Sequence, residues 1–201
     1  MTNRKSFARP ARRVAIVMTL GLPLSLAVVG TAVSAPTTCR GEVVTIVGTP
    51  GRDVITGTAG QDSVMARGGA DVIRGLGGKD EICAGPGADR LSGGSGKDGL
   101  DGAGGDDVLL GDAGNDDLFG RAGADRLAGG DGPDGLRAGT GADRVVGGAM
   151  HDDLFGEAGV DQLFGQTGHD VINGGTGRDD INGGPGVDDC LLGEVLVGCE
   201  S

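Results

Sequence analysis

The chain of 201 residues has room for one domain with short extensions, and 45 glycines, no Trp, no Tyr and four Phe exclude a core anchored on aromatic residues. All 29 acidic residues lie after residue 35, against 12 of the 17 basic ones; this net −17 repels nucleic-acid phosphates and anionic lipid and suits cations. Gly-rich, acidic, aromatic-poor sequence normally stays disordered, so order here requires a pattern that lines up the few aliphatic residues.

Taken from the N-terminus, the chain begins with a basic stretch (Arg4, Lys5, Arg9, Arg12, Arg13). An apolar run from Val14 to Val29 follows, then the small residues Ala32-Val33-Ser34. This is the layout of a secretory signal peptide, expected to span 1–34 with cleavage between Ser34 and Ala35. The run is broken by Gly21 and Pro23 and is shorter than the roughly 20 apolar residues of a membrane span. The expected location is extracellular, with no membrane partner after cleavage. Residues 35–47 contain the β-rich run Glu42-Val-Val-Thr-Ile-Val47 and are read as an N-terminal cap.

From residue 48 to 191 the sequence repeats every nine residues. Asp recurs without a break at Asp53, Asp62, Asp71, Asp80, Asp89, Asp98, Asp107, Asp116, Asp125, Asp134, Asp143, Asp152, Asp161, Asp170, Asp179 and Asp188. Two residues before each Asp stands Gly, except at Met150. Two residues after stands an aliphatic, from Ile55 to Ile181, with Cys190 taking that place in the last unit. Five residues before each Asp the chain has Gly, or Ala at Ala66, Ala84 and Ala138. Each unit divides into a Gly-rich turn ending in Asp and a very short strand centred on the aliphatic. One inward residue per nine cannot form a core alone, so two units must close one flattened coil and the coils must stack. The fold class is all-β: a parallel β-roll of sixteen units, or eight coils about 38 Å long at about 4.8 Å per strand. Its ends are open edges needing covers. Residues 192–201, with Glu194-Val-Leu-Val197, are read as the C-terminal cap.

Stacking in this register places Asp above Asp. Two carboxylates about 5 Å apart cost roughly 3 kcal/mol at an effective dielectric near 20, and the cost recurs along both columns. A hard divalent cation relieves it. The turns offer only oxygen, as carboxylates and main-chain carbonyls; calcium accepts 6–8 such ligands in flexible geometry, whereas magnesium demands a tight octahedron. No regular His or Cys serves zinc, copper or iron.

The unit resembles the nonapeptide G-G-x-G-x-D-x-U-x of RTX (hemolysin-type) calcium-binding repeat proteins, here of a secreted stand-alone kind. Gly93-Gly94-Ser95-Gly96-Lys97-Asp98-Gly99-Leu100-Asp101 and Gly174-Gly175-Thr176-Gly177-Arg178-Asp179-Asp180-Ile181-Asn182 match at every fixed position. The resemblance implies a calcium-stacked right-handed β-helix, with ions between adjacent turns held by the sixteen Asp carboxylates and turn carbonyls. Two columns of eight turns leave at most fourteen gaps. Asp71 through Asp143 are the favoured ligands, since end units lack a stacking partner. Met150, forced towards positive φ and followed by His151, is expected to distort the turn that carries Asp152. Lys79, Lys97 and Arg178, each directly before an Asp, should weaken their sites.

Four Cys in an exported chain suggest two disulfides out of three possible pairings. Placement favours Cys39–Cys83 and Cys190–Cys199, which would pin both caps, and the same arrangement resembles secreted proteins of this repeat class. No enzyme is expected: His151 and His169 occupy a variable surface slot, and relatives with catalysis carry it in a separate domain. The alternative is an adhesion or ligand-binding module for a protein or polysaccharide, using outward Phe119, Phe155 and Phe164 with Leu110 and Val146. Ice binding wants Thr and Asn ladders that the mixed outward columns lack. A role as accessory to a secreted enzyme also remains.

Overall fold

A computed structural model describes residues 38–191 and 195–199. The signal-peptide reading of 1–34 falls outside them. Every described regular element is a strand, and all long-range pairing is parallel apart from one N-terminal hairpin.

Two sheets face each other. The nine-stranded sheet runs from Val54–Thr56 through Val72–Gly77, Arg90–Gly96, Val108–Gly114, Arg126–Asp131, Arg144–Ala149, Gln162–Thr167 and Asp180–Asn182 to Val195–Val197. The ten-stranded sheet starts at Ile46–Val47 and Ser63–Met65 and ends at Val171–Asn173 and Asp189–Leu191, with Thr176–Gly177 pairing on Asp153–Gly159. Consecutive units alternate between the sheets, and each strand pairs with the strand two units on, as in Leu91↔Leu109↔Leu127 and Leu100↔Leu118↔Leu136. The eight-coil β-roll expected from the period is therefore the fold.

Strands are longer than the three residues expected. Most in the middle of the roll cover six or seven, because the ladder continues into the turn residues. Stacked coils share one conformation, so the turn amides and carbonyls also meet partners one coil away, as in Gly105 N to Ala122 O at 2.8 Å and Gly123 N to Thr140 O at 2.9 Å.

All fifteen repeat aliphatics from Ile55 to Ile181 are buried between the sheets, and Ala66, Ala84 and Ala138 join them. Burying one such Leu or Ile contributes about 1.5–3 kcal/mol, and each has nine residues to hold in place. Ile46 and the disulfide-bonded Cys190 and Cys199 pack against the two ends of this seam.

The flanks do more than cover ends. Ile46–Val47 is itself the first rung of the ten-stranded sheet, paired with Val64–Met65. Thr38–Cys39 and Glu42–Val43 form a hairpin that turns through Arg40 and Gly41, both at positive φ. That hairpin sits on the outer face of the ten-stranded sheet rather than over its edge. Cys39–Cys83 fastens it, with Cα atoms 5.8 Å apart, and Arg40 Nε lies 3.0 Å from Glu81 Oε2. At the other end Val195–Val197 pairs with Asp180–Asn182 outside the repeat register, with Leu196 opposite Ile181, and Cys190–Cys199 ties one sheet to the other.

Candidate metal centre

Each repeat Asp closes its turn immediately before a strand, and the stack aligns these residues in two columns. Asp53, Asp71, Asp89, Asp107, Asp125, Asp143, Asp161 and Asp179 precede the nine-stranded sheet. Asp62, Asp80, Asp98, Asp116, Asp134, Asp152, Asp170 and Asp188 precede the ten-stranded one. All sixteen are buried, none more than 6 % exposed. An ionised side chain at that depth requires partners.

From Asp71 to Asp188, half of each carboxylate is satisfied by the repeat. The backbone N–H of every Asp from Asp53 to Asp170 donates to Oδ1 of the Asp one coil on, for example Asp98 N to Asp116 Oδ1 at 2.8 Å and Asp107 N to Asp125 Oδ1 at 2.8 Å. The Asp carbonyl accepts from the amide just past the next Asp of its column, as Asp98 O does from Asp117 N at 2.8 Å. From Asp71 to Asp170 each Asp is thus a rivet between coils through both its backbone and its side chain.

The other half is not satisfied. From Asp71 to Asp188, fourteen Oδ2 atoms are buried and have no hydrogen-bond donor. Asp53 and Asp62 differ: Thr49 N and Thr58 N each donate to the local Oδ2 at 2.6 Å, and both Thr hydroxyls lie within reach of it as well. The residue four before each Asp explains the division. In all fourteen later units it takes positive φ, whether Gly, as at Gly85 (95°) and Gly130 (113°), or not, as at Arg67 (82°), Leu76 (85°) and Gln166 (74°). β-branched Thr resists that region. Thr at this place in the first two units alone is a signal the sequence carried and that reading by periodicity passed over.

Burial pushes the carboxyls up: to about 7 at Asp107, Asp116 and Asp152, and to about 6 at Asp80, Asp89, Asp125, Asp134 and Asp161. The coil-to-coil amide bond opposes the rise, and the Asp above or below adds to it at most of these positions. The columns therefore favour either a proton or a cation.

A calcium ion suits the donor set. Among the described residues no three His, Cys, Asp or Glu side chains converge, so main-chain oxygens must complete any coordination. They are at hand where the turn begins. A Cβ placed on Gly156 would lie 2.7 Å from Asp161 Oδ2 and 2.5 Å from the carbonyl oxygen of Gly174 in the next coil. On Gly111 it would lie 2.6 Å from Asp116 Oδ2 and 2.5 Å from Gly129 O. Carboxylate and carbonyl oxygens thus turn into one small space that the absent side chain leaves open, which is the hard-oxygen chemistry calcium takes.

Two sequence expectations are corrected. The turn before Asp152 is not distorted: Met150 adopts φ 84°, its side chain turns outward, and its N–H donates to Thr167 O at 2.8 Å. Asp152 keeps the same bonds as its neighbours, from Asp134 N at 2.9 Å and to Asp170 Oδ1 at 3.0 Å, and its Oδ2 is orphaned like theirs. The single outward apolar patch is divided, because alternate units face opposite ways. Phe119 and Phe155 lie on the ten-stranded sheet, while Phe164, Leu110 and Val146 lie on the nine-stranded one. The rings are half-buried beneath guanidinium groups: Arg40 sits 4.3 Å over Phe119, Arg137 5.1 Å over Phe155 and Arg144 4.3 Å over Phe164. Lys79 and Lys97 turn towards acids outside the columns, Glu42 and Glu81 for the first and Asp117 for the second, each at 3.7 Å.

A parallel β-solenoid whose stacked turns carry buried, half-satisfied carboxylates defines a class of repeat protein built around cations. The RTX calcium-binding nonapeptide repeat, taken four copies at a time, matches overlapping windows of the chain from 47–82 to 155–190, and the chain belongs to that family. Calcium binding is what this repeat does, and the buried Asp columns fit it. No curated protein matches the chain.

Proposed function

We propose that the protein works outside the cell as a β-roll that calcium folds, with no chemistry beyond holding the ion. The observation that carries this reading is the set of fourteen buried Oδ2 atoms without a donor. Leaving a buried charged acceptor unsatisfied costs more than the ~1–3 kcal/mol of a neutral polar group, and here the arrangement recurs coil after coil. Asp71 to Asp188 supply the charged oxygens, and the carbonyls facing the Gly cradles supply the rest. Calcium, when bound, neutralises the column and takes up the orphaned oxygens. Asp53 and Asp62 close on their own turns and act as the start of the columns. Fourteen side chains thus do the work expected of sixteen.

An ion that binds only the folded stack adds its binding energy to folding. At a free concentration ten times Kd each site contributes about 1.4 kcal/mol, and extracellular calcium modules typically have Kd near 10⁻⁴–10⁻³ M. The signal-like N-terminus and the two disulfides, Cys39–Cys83 and Cys190–Cys199, support export to a compartment where calcium is plentiful.

Far-ultraviolet circular dichroism during a calcium titration of chelator-treated, dialysed protein tests this. The β signal is expected to appear cooperatively with calcium and not with magnesium at the same concentration. A full β signal before any calcium is added would overturn the reading.

A further inference from the structure

Outside the Asp columns, one pair of side chains is placed by the stack for a different ion. His151 and His169 are the only two histidines in the chain and stand two repeat units apart, directly before Asp152 and Asp170. The stack puts them on adjacent coils with ring centroids 5.0 Å apart and planes inclined by 50°. Both side chains are exposed. The coils on either side carry Pro133 and Val187 at the same position, so no neighbouring cation of that column competes for the space.

The ring geometry has a chemical meaning. A zinc-class ion 2.0–2.1 Å from an imidazole nitrogen lies roughly 3.2 Å from the ring centroid, so right-angle to tetrahedral ligand angles set two centroids about 4.5–5.3 Å apart. The observed separation falls in that range. His169 is also set up as a ligand by its other nitrogen. Its Nδ1 lies 3.2 Å from the carbonyl oxygen of Val187. A carbonyl can only accept, so Nδ1 carries a hydrogen and the neutral ring offers the Nε2 lone pair, the arrangement that usually fixes metal-bound histidines.

We propose that His151 and His169 form a two-imidazole site for a borderline divalent transition ion of the zinc, nickel or copper(II) class, separate from the oxygen sites of the Asp columns. Among the described residues no third His, Cys, Asp or Glu side chain joins them, so water fills the remaining positions and the site is open to exchange. Imidazole selects such metals over calcium, which takes oxygen. All four cysteines are in disulfides and do not compete. The pair exists only when the coils are stacked, so its assembly rests on the calcium-folded state proposed above.

Isothermal titration with zinc, in a large excess of calcium that keeps the Asp columns occupied, tests the site on the tag-free chain. Folding of every variant is checked beforehand by circular dichroism. About one zinc per chain is expected. His151→Gln and His169→Gln should each lower the affinity by more than the roughly 10–100-fold that loss of an outer-shell partner costs, and zinc should shift the imidazole C–H resonances of the unmodified chain. His151→Phe preserves ring against ring and should still lose zinc, which separates a ligand from a stacking partner. Zinc uptake unchanged in both Gln variants would mean that the ion enters the Asp columns, and no uptake by a folded chain would mean that the ring pair is packing alone. Either result overturns the proposal. A chain that is folded without calcium but binds zinc through both histidines would refute calcium-driven folding and leave this site standing.

Discussion

The first two turns and the fourteen that follow share one nine-residue pattern but treat its defining carboxylate in opposite ways. At Asp53 and Asp62 the Thr four residues earlier keeps its amide pointed at Oδ2 and closes the turn on itself, at 2.6 Å in both cases. From Asp71 onward the residue at that place swings to positive φ, and Oδ2 is left buried and open. A second contrast goes with the first. A Cβ on Gly51 would meet nothing within 4 Å, whereas one on Gly105, at φ 115°, would run into the carbonyl oxygen of Gly87 in the coil below. Coil stacking therefore creates both the demand for glycine and the demand for an ion. The lesson is that an Asp in register stitches coils throughout the stack, but its Oδ2 stays open only where its own turn declines to satisfy it.

The largest effect expected on this contrast comes from glycine. Gly105→Ala should destabilise the calcium-loaded roll by about 2 kcal/mol or more through backbone collision and strain. Gly51→Ala should stay within about 0.5 kcal/mol. Thermal unfolding midpoints in saturating calcium measure both, and equal losses would break the comparison.

Next comes the carboxylate itself. Asp116→Asn keeps the oxygen that accepts from Asp98 N but removes the charge of the orphaned side. It should raise the calcium midpoint by about tenfold, equivalent to about 1.4 kcal/mol, while Asp53→Asn shifts it by less than about twofold. Calcium titrations followed by circular dichroism compare the two, and Asp152→Asn belongs with Asp116, since the Met150 turn keeps its geometry.

The pH dependence follows from burial. Folding raises the carboxyls at Asp107, Asp116 and Asp152 from an ordinary 3.8 to about 7, so the ion-free stack takes up protons as it forms. Its stability is least compromised below about pH 4 and falls as pH rises towards 7. Calcium binds the ionised form, so its affinity should move the other way, weakening as pH drops through the same window. Dichroism across pH 4–8, with and without calcium, gives the two slopes; parallel slopes would sink the assignment of these carboxyls.

The smallest change is Thr58→Gly, which frees the turn at Asp62 to adopt the later conformation. The expected result is up to one additional calcium per chain by equilibrium dialysis, with the folding midpoint altered by less than about twofold.

The period alone placed Asp53 to Asp188 in two columns, put Ile55 to Ile181 inside and paired every strand with the one two units on, because a short repeat forces every unit into nearly the same local conformation and leaves stacking as the one way to bury its aliphatic. Leu91, Leu109 and Leu127 lie as that argument requires. Where units differ from each other, periodicity was a poorer guide. Averaging over sixteen units hid Thr49 and Thr58, and Met150 looked disruptive although its outward side chain and positive φ cost the turn no hydrogen bond.

The sequence by itself determined a β-roll, an acidic lining and a hard cation as its natural partner, since each follows from residue type at fixed spacing. Only the tertiary structure decided which Asp oxygens lack a donor, that Phe119 and Phe164 face opposite ways, that Thr38–Val43 lies on a sheet face, and that His169 is oriented by Val187. Those facts depend on the direction of an amide or a ring and on what the neighbouring coil presents to it, which residue identity and spacing leave open until the coils are stacked.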